Sequence, residues 1–144
     1  MRYLLDTNVL SELQSPQGDE LVKTRFSRLD TDSLFTSAVV FGEIRKGIRR
    51  LPQSQRKQNL EFWFNEFSLE YNNRILPFDM DTAQIWGDLV AKSELNGVSV
   101  SVADGQIAAT AIQHGLVVIT RNTKDFQNTG ARLWNIWETD AAFL

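Results

Sequence analysis

Asp104 stands in an unexpected place within the stretch SVADGQIAATAI, residues 101–112. At about 100° per residue along a helix, its side chain falls between those of Ala108 and Ala111, on the apolar side. The opposite side, which we expect to face solvent, carries Gln106, Thr110 and Gln113. A carboxylate on the side that a helix buries is a candidate for binding a cation or for acid–base chemistry.

Two further acids follow the same pattern. Glu43, in SAVVFGEIRKGI, lies on the helix side of Val39 and Ile44, whereas the basic residues of that helix lie on the other side. Asp6 ends the apolar run RYLL, and ligands of parallel sheets bind at the carboxyl ends of the strands. Each acid also has a structural explanation: Asp6 could cap a helix, Asp104 could be a first-turn anion, and Glu43 could pair with a base.

A fourth acidic position follows the apolar run LVVIT, residues 116–120, in TRNTKDF. This strand should end at the same rim and bring Thr120, Arg121, Asn122 and Asp125 there, although Asp125 could equally be an ordinary surface residue. Several carboxylates at one rim of low dielectric raise one another's pKa unless a cation compensates them. The chain has no Cys, and its one histidine, His114, fits a favourable helix C-terminal contact. Hard oxygen ligands therefore predict Mg²⁺ or Mn²⁺.

Alternating strands and helices must position these side chains. Apolar runs predict strands at 2–5, 33–36, 74–78, 116–120 and 132–137. Between them, periodicity and caps predict helices after residue 6 and at 18–29, 38–50, 52–71, 79–95 and 101–115, with Pro52 in the first turn of the fourth. This order predicts an α/β fold with a parallel sheet covered on both faces.

Composition limits the class of protein. A chain of 144 residues with 42% hydrophobic content suits one domain, and it contains no apolar run of about 18 residues that could span a membrane. We therefore expect a cytoplasmic protein. The net charge of −3 gives no general signal for nucleic acid, but RKGIRRLPQSQRK, residues 45–57, holds six of the 15 basic residues. This segment could contact a polyanion or be a solvated helix face.

An apolar stripe marks the helix that follows this segment. Leu60, Trp63, Phe64 and Phe67 are spaced at i, i+3, i+4 and i+7. The stripe could be part of the core or line a groove for a partner.

Four motifs in order resemble the PIN-domain ribonucleases, and most closely the VapC and FitB toxins of bacterial toxin–antitoxin modules. They are LLDTNVLSEL, SAVVFGEIRKGI, DGQIAATAIQHGLVVITRNTKDF and the final RLWNIW, and together they span nearly the whole chain. The resemblance implies a single PIN domain over residues 1–144, a three-layer α/β/α sandwich with a short, mostly parallel central sheet.

The resemblance also assigns roles to particular residues. Asp6, Glu43 and Asp104 match the family's metal-binding acids, and either Asn122 or Asp125 completes the catalytic site. Asn8 (or, as an alternative, Thr7), Thr120 and Asn122 would hold water or carboxylates in place. The candidates for contacts with RNA phosphates are Arg45, Arg49, Arg121 and Lys124.

The activity that the resemblance implies is Mg²⁺-dependent endoribonuclease cleavage, with a metal-activated water as nucleophile and 5′-phosphate and 3′-hydroxyl products. The implied partners are the RNA substrate, a second copy of the chain, and a VapB/FitA-like antitoxin. The antitoxin tail would lie in a groove and reach the acidic pocket, giving a larger hetero-oligomer.

Two alternatives remain open from the sequence. LLDTN at a strand end also resembles the nucleophile loop of haloacid-dehalogenase-like phosphatases, but those enzymes need a second aspartate where this chain has Asn8. The other alternative is a non-catalytic interaction module that keeps the fold and binds a partner without cutting RNA.

Overall fold

The structure, a computed structural model, describes residues 1–141. The strands are β1 (Tyr3–Leu5), β2 (Leu34–Ser37), β3 (Ile75–Leu76), β4 (Val117–Ile119) and β5 (Arg132–Trp134). The helices are α1 (Thr7–Gln14), α2 (Glu20–Ser27), α3 (Ala38–Arg49), α4 (Gln55–Glu70), α5 (Met80–Leu95), α6 (Val102–His114) and α7 (Thr123–Phe126). Short 3₁₀ turns precede β2 and β3.

The five strands form one sheet in the order β3-β2-β1-β4-β5, and every neighbouring pair is parallel. Tyr3 of β1 pairs with Leu34 of β2 on one side and with Val117 of β4 on the other. All residues of β1 and β4 are buried, as expected for central strands with helices on both faces. The predicted α/β sandwich is confirmed, and the sheet is entirely parallel.

Connections between the strands create the two helical layers. The chain moves from β1 to β2 to β3 in one direction, and then returns to β4 and β5 on the other side of β1. Because parallel crossovers are right-handed, α1–α4 cover one face and α5–α7 cover the other. The reversal occurs between β1 and β4, and such a switch point opens a crevice at the carboxyl ends of the two strands.

Element boundaries differ from the sequence predictions where capping decides them. The fourth helix begins at Gln55 and not near Pro52, because the Ser54 hydroxyl accepts a hydrogen bond from the Lys57 N–H and caps it. The strand predicted at 74–78 pairs only at Ile75–Leu76, since Pro77 has no N–H to extend the ladder. The strand predicted at 132–137 ends at Trp134.

Helix α6 has no solvent face over most of its length, and the prediction that Thr110 faces solvent is wrong. Thr110 is fully buried and donates its hydroxyl hydrogen to the Gln106 carbonyl at 2.9 Å. Helix α5 packs against α6 so closely that a Cβ on Gly105 would lie 3.1 Å from Trp86 Nε1. Side-chain periodicity gave no sign of this second packing partner.

Within residues 1–141, no helix combines the length and the apolar character that crossing a bilayer requires.

Candidate active site

The crevice at the switch point is bounded by the residues that follow β1 and β4. Asp6 follows β1, and its N–H donates to the Ile119 carbonyl at 3.1 Å, so it continues the ladder by one bond. Thr120 follows β4, and its N–H donates to the Trp134 carbonyl at 3.1 Å. The sheet thereby holds both side chains at its carboxyl edge, where the sequence predicted them.

Asp6 is a buried carboxylate with several hydrogen-bond donors around it. It accepts from the Thr7 N–H at 2.8 Å, from the Thr120 hydroxyl at 2.8 Å and from Asn8 Nδ2 at 3.3 Å. Burial raises the pKa of Asp6, and these hydrogen bonds offset the effect only in part. The nearby carboxylates of Asp104 and Glu43 raise the pKa further. Asp6 is therefore an acid whose ionised form needs a compensating charge.

Glu43 reaches the same rim from α3, which the Ser37 hydroxyl caps by accepting from the Val40 N–H. The Thr7 hydroxyl donates to Glu43 Oε1 at 3.2 Å. Thr7 therefore links Glu43 to Asp6, because its N–H binds one acid and its hydroxyl binds the other. Thr7 and Asn8 are the two residues that the sequence proposed for holding the carboxylates, and both donate hydrogen bonds to Asp6.

Asp104 lies in the first turn of α6, where its N–H donates to the capping Ser101 hydroxyl at 3.2 Å. Burial raises the pKa of Asp104, and the neighbouring Asp125 carboxylate of α7 adds to the increase. The two acids line one side of a cleft of about 360 Å³. Lys124, a phosphate-contact candidate from the sequence, also lines this cleft. The remaining lining residues, which the sequence did not single out, are Val98, Ser99, Val100, Ser101 and Asn128.

Asn122 contributes differently from Asp125. Its backbone N–H donates to the Thr120 hydroxyl at 3.1 Å, and its side chain makes no capping bond to α7. Thr120 is thus the central residue of the site, since its buried hydroxyl also accepts from Asn8 Nδ2 at 3.2 Å. The predicted positioning residues Asn8 and Thr120 are brought together.

Charge compensation for these acids is missing from the described part of the chain. The ion pairs found in residues 1–141 are Lys23–Glu20, Arg28–Asp140 and Arg49–Glu61, and none involves an acid of the site. Carboxylates with raised pKa and oxygen donors match the preferences of Mg²⁺ or Mn²⁺. In the same range, however, no three His, Cys, Asp or Glu side chains already form a cluster that could hold a metal ion.

The predicted phosphate-binding residues separate into two groups. Arg121 directly follows Thr120, and Lys124 lines the cleft beside Asp104. By contrast, Arg49 pairs with Glu61 at 2.9 Å.

Arg45 belongs to the second group, because its guanidinium lies over the Phe64 ring at 5.5 Å. Lys57, from the same basic segment, is buried and caps α3 by donating to the carbonyls of Arg49 and Leu51. The segment 45–57 is therefore held largely by contacts between α3 and α4.

A groove runs from Glu43 along α1, α3 and α4. A cleft of about 220 Å³ beside Glu43 adjoins a larger one of about 610 Å³, and the two share Gln14, Arg56, Leu60 and Trp63. Phe64 and Phe67 are buried, while Leu60 and Trp63 are half-buried and line the groove. The apolar stripe of α4 thus serves both the core and a groove.

Comparison with known proteins places the chain in a family. The family model described as PIN domain matches residues 3–131. The VapC ribonuclease Y4jK of Sinorhizobium fredii is 35% identical over 136 residues, which cover 94% of this chain and 97% of that protein. Toxin FitB of Neisseria gonorrhoeae is 36% identical over 135 residues, covering 93% and 97%.

Solved structures agree with these sequence matches. The crystal structure of FitAcB from Neisseria gonorrhoeae superposes with a TM-score of 0.90 at 35% identity, covering 95% of this chain and 99% of that one. A structure of FitAB bound to a DNA fragment gives a TM-score of 0.89 at 34% identity. The chain therefore belongs to the PIN-domain family, in the group that includes VapC ribonucleases and toxin FitB.

Proposed function

We propose that this chain is a Mg²⁺- or Mn²⁺-dependent endoribonuclease and the toxin of a toxin–antitoxin pair. The observation that carries the proposal is that Asp104 and Glu43 lie near enough to Asp6 to raise its pKa, and Asp125 near enough to Asp104, while none of the four has an ion-pair partner among residues 1–141. The names of its relatives, VapC ribonuclease and toxin FitB, support the same activity. Family membership also removes the phosphatase alternative.

The residues that would hold the metal are Asp6, Glu43 and Asp104. Mg²⁺ keeps several water ligands and needs only one or two direct carboxylates, so the remaining acid can bind through water. This accounts for a site whose acids lie close together without forming a preformed cluster of three. When bound, the ion lowers the pKa of a coordinated water and stabilises charge on the phosphoryl oxygens.

The protein's own contribution is to position these groups. Thr120 and Thr7 fix the carboxylates of Asp6 and Glu43 through hydroxyl donors. Burial raises the pKa of Asp104, and the neighbouring Asp125 carboxylate raises it further, so Asp125 is our candidate for the fourth acid. Asn122, the other candidate, acts through its backbone N–H on Thr120.

The groove beside Glu43 suits the antitoxin. Its apolar lining with Leu60 and Trp63, and its end at an acid of the site, match a segment with apolar side chains and a terminal basic group. The structure of FitAB bound to DNA supports a partner of the FitA kind. We further propose that the single PIN domain of residues 1–144 acts in the cytoplasm as a homodimer, and that a small reading frame with a DNA-binding motif neighbours its gene.

The decisive experiment incubates purified, antitoxin-free protein with end-labelled RNAs in Mg²⁺, Mn²⁺ or EDTA. We expect cleavage in either metal, none in EDTA, and 5′-phosphate and 3′-hydroxyl ends. Asp6→Asn and Asp104→Asn should abolish cleavage, whereas Asp88→Asn, an exposed acid of α5, should leave it unchanged. Melting temperature gives an independent measurement: Mg²⁺ should raise it in the wild type and Asp88→Asn but not in Asp104→Asn.

Full cleavage by Asp104→Asn, or by the wild type in EDTA, would refute the catalytic proposal. Tight RNA binding without cleavage in any metal would favour the non-catalytic interaction module. An equal rise in melting temperature with Mg²⁺ for the wild type and Asp104→Asn would refute the metal site.

A further inference from the structure

Arg121 is the cation most firmly attached to the rim of the site. Its backbone N–H donates to Asn8 Oδ1 at 3.2 Å, and its carbonyl accepts from Asn135 Nδ2 at 3.4 Å. These two asparagines follow β1 and β5, the strands on either side of β4. The backbone of Arg121 is therefore held from both sides, one residue from the Thr120 hydroxyl that binds Asp6.

The side chain of Arg121 is directed by an aromatic ring. Its guanidinium carbon lies 5.3 Å from the ring centroid of Trp137. Asn135 also holds the backbone of Trp137, because its Oδ1 accepts from the Trp137 backbone N–H at 3.0 Å. Trp137 is half-buried against the core, while Arg121 is exposed. A cation held over an indole face loses less conformational freedom when it binds an anion.

The charge of Arg121 is available to an anion from outside. None of the ion pairs found between residues 1 and 141 includes it, in contrast to Arg49, which Glu61 neutralises. A guanidinium can stack on a ring with its face and still donate in its plane to two phosphate oxygens. An RNA strand entering an acidic crevice needs such a contact beside the acids.

We propose that Arg121 and Trp137 form a preorganised phosphate-binding pair for the RNA strand, with Trp137 as the positioning residue of Arg121. This proposal rests on the ribonuclease function proposed above. It adds Trp137 and Asn135 to the substrate site, two residues of the final RLWNIW motif to which the sequence assigned no functional role.

The test measures binding of a fluorescently labelled, mixed-sequence single-stranded RNA to the full chain, in an Asp104→Asn background that prevents cleavage. Arg121→Gln should weaken binding about tenfold and reduce the slope of log K against log salt by about 0.7. Trp137→Leu should weaken binding about two- to fivefold, and Trp137→Phe should restore most of the loss. The double variant Arg121→Gln/Trp137→Leu should bind RNA no more weakly than Arg121→Gln alone.

The matched control is Arg132→Gln, which removes an exposed arginine at the opposite end of β5. It should leave the affinity and the salt slope near those of the parent protein. Equal losses for Arg121→Gln and Arg132→Gln would overturn the proposal, as would additive losses in the double variant. If Trp137→Leu fails to fold, Trp137→Phe and Arg121→Gln still test the proposal. A Trp137→Phe variant that melts normally but binds RNA weakly would contradict the positioning of Arg121 by an aromatic ring.

The two proposals can fail separately. A wild-type protein that neither binds nor cleaves RNA in either metal would refute the ribonuclease function and this inference together. A wild type that cleaves RNA, with Arg121→Gln unchanged in affinity and salt slope, would refute only the phosphate-binding pair.

Discussion

Replacing Thr120 by valine removes one hydroxyl from the centre of the site while keeping the side-chain shape. The hydroxyl is fully buried and donates to a carboxylate oxygen of Asp6 at 2.8 Å. A hydrogen bond to a charged group contributes about 1.5–3 kcal/mol. Asn8 Nδ2 still donates to Asp6 Oδ2, and Asn122 is exposed, so water can accept from its N–H. We therefore expect a loss of about 2–3 kcal/mol in the free energy of unfolding at neutral pH.

The loss should depend on pH with a defined sign. The Thr120 hydrogen bond lowers the Asp6 pKa, so its contribution is present while Asp6 is ionised and disappears as the pH falls through that pKa. Burial has the larger and opposite effect, and the ionised Asp6 therefore destabilises the fold at neutral pH. The difference between Thr120→Val and the wild type should shrink as the pH is lowered from about 7 towards 4.

Urea unfolding in EDTA, measured across this pH range, tests the prediction. Thr110→Val is the matched control, because Thr110 is equally buried but donates only to the Gln106 carbonyl of its own helix. That substitution should cost no more than about 1 kcal/mol and show no pH dependence of its own. The reasoning about Asp6 is wrong if the two variants lose equal stability, or if the Thr120→Val deficit is the same at both ends of the pH range.

Two further predictions concern helix packing beside the site and the capping of α3. Gly105→Ala should destabilise the protein by about 1–2 kcal/mol, because its Cβ would press against Trp86, and it should slow RNA cleavage, because Asp104 is the preceding residue. Gly87→Ala is the control: a Cβ there meets open space, and the substitution should stabilise the protein by about 0.5–1 kcal/mol. Thermal melting and cleavage rates measure both, and a stabilised Gly105→Ala would show that α5 yields. Lys57→Met should lower the free energy of unfolding in urea by about 1–3 kcal/mol, because the Lys57 ammonium caps α3. An equal loss for Arg56→Met, at the exposed arginine before it, would contradict that role.

Much of the fold could be predicted from local patterns, and the same patterns singled out three acids of the candidate site. Apolar runs and capping residues placed β1, β2, α3 and α6 within a residue or two of their observed bounds. Prediction failed where contacts with other elements decided the outcome: Thr110 is buried although the helix pattern predicted a solvent-facing position, and Arg49 is ion-paired because Glu61 of α4 lies opposite. A single helix pattern contains no information about the helix that will pack on its other side.

By itself, the order of residues determined that this chain alternates strands with helices and ends its central strands in polar side chains. Hydrophobic periodicity and the handedness of parallel crossovers are sufficient for that outcome. Only the tertiary structure decided which polar groups meet. The Thr120 hydroxyl reaches Asp6 across 114 positions, and Arg121 lies over Trp137 because β4 is placed between β1 and β5. Such contacts depend on strand order and on packing geometry to within an ångström, which no local spacing specifies.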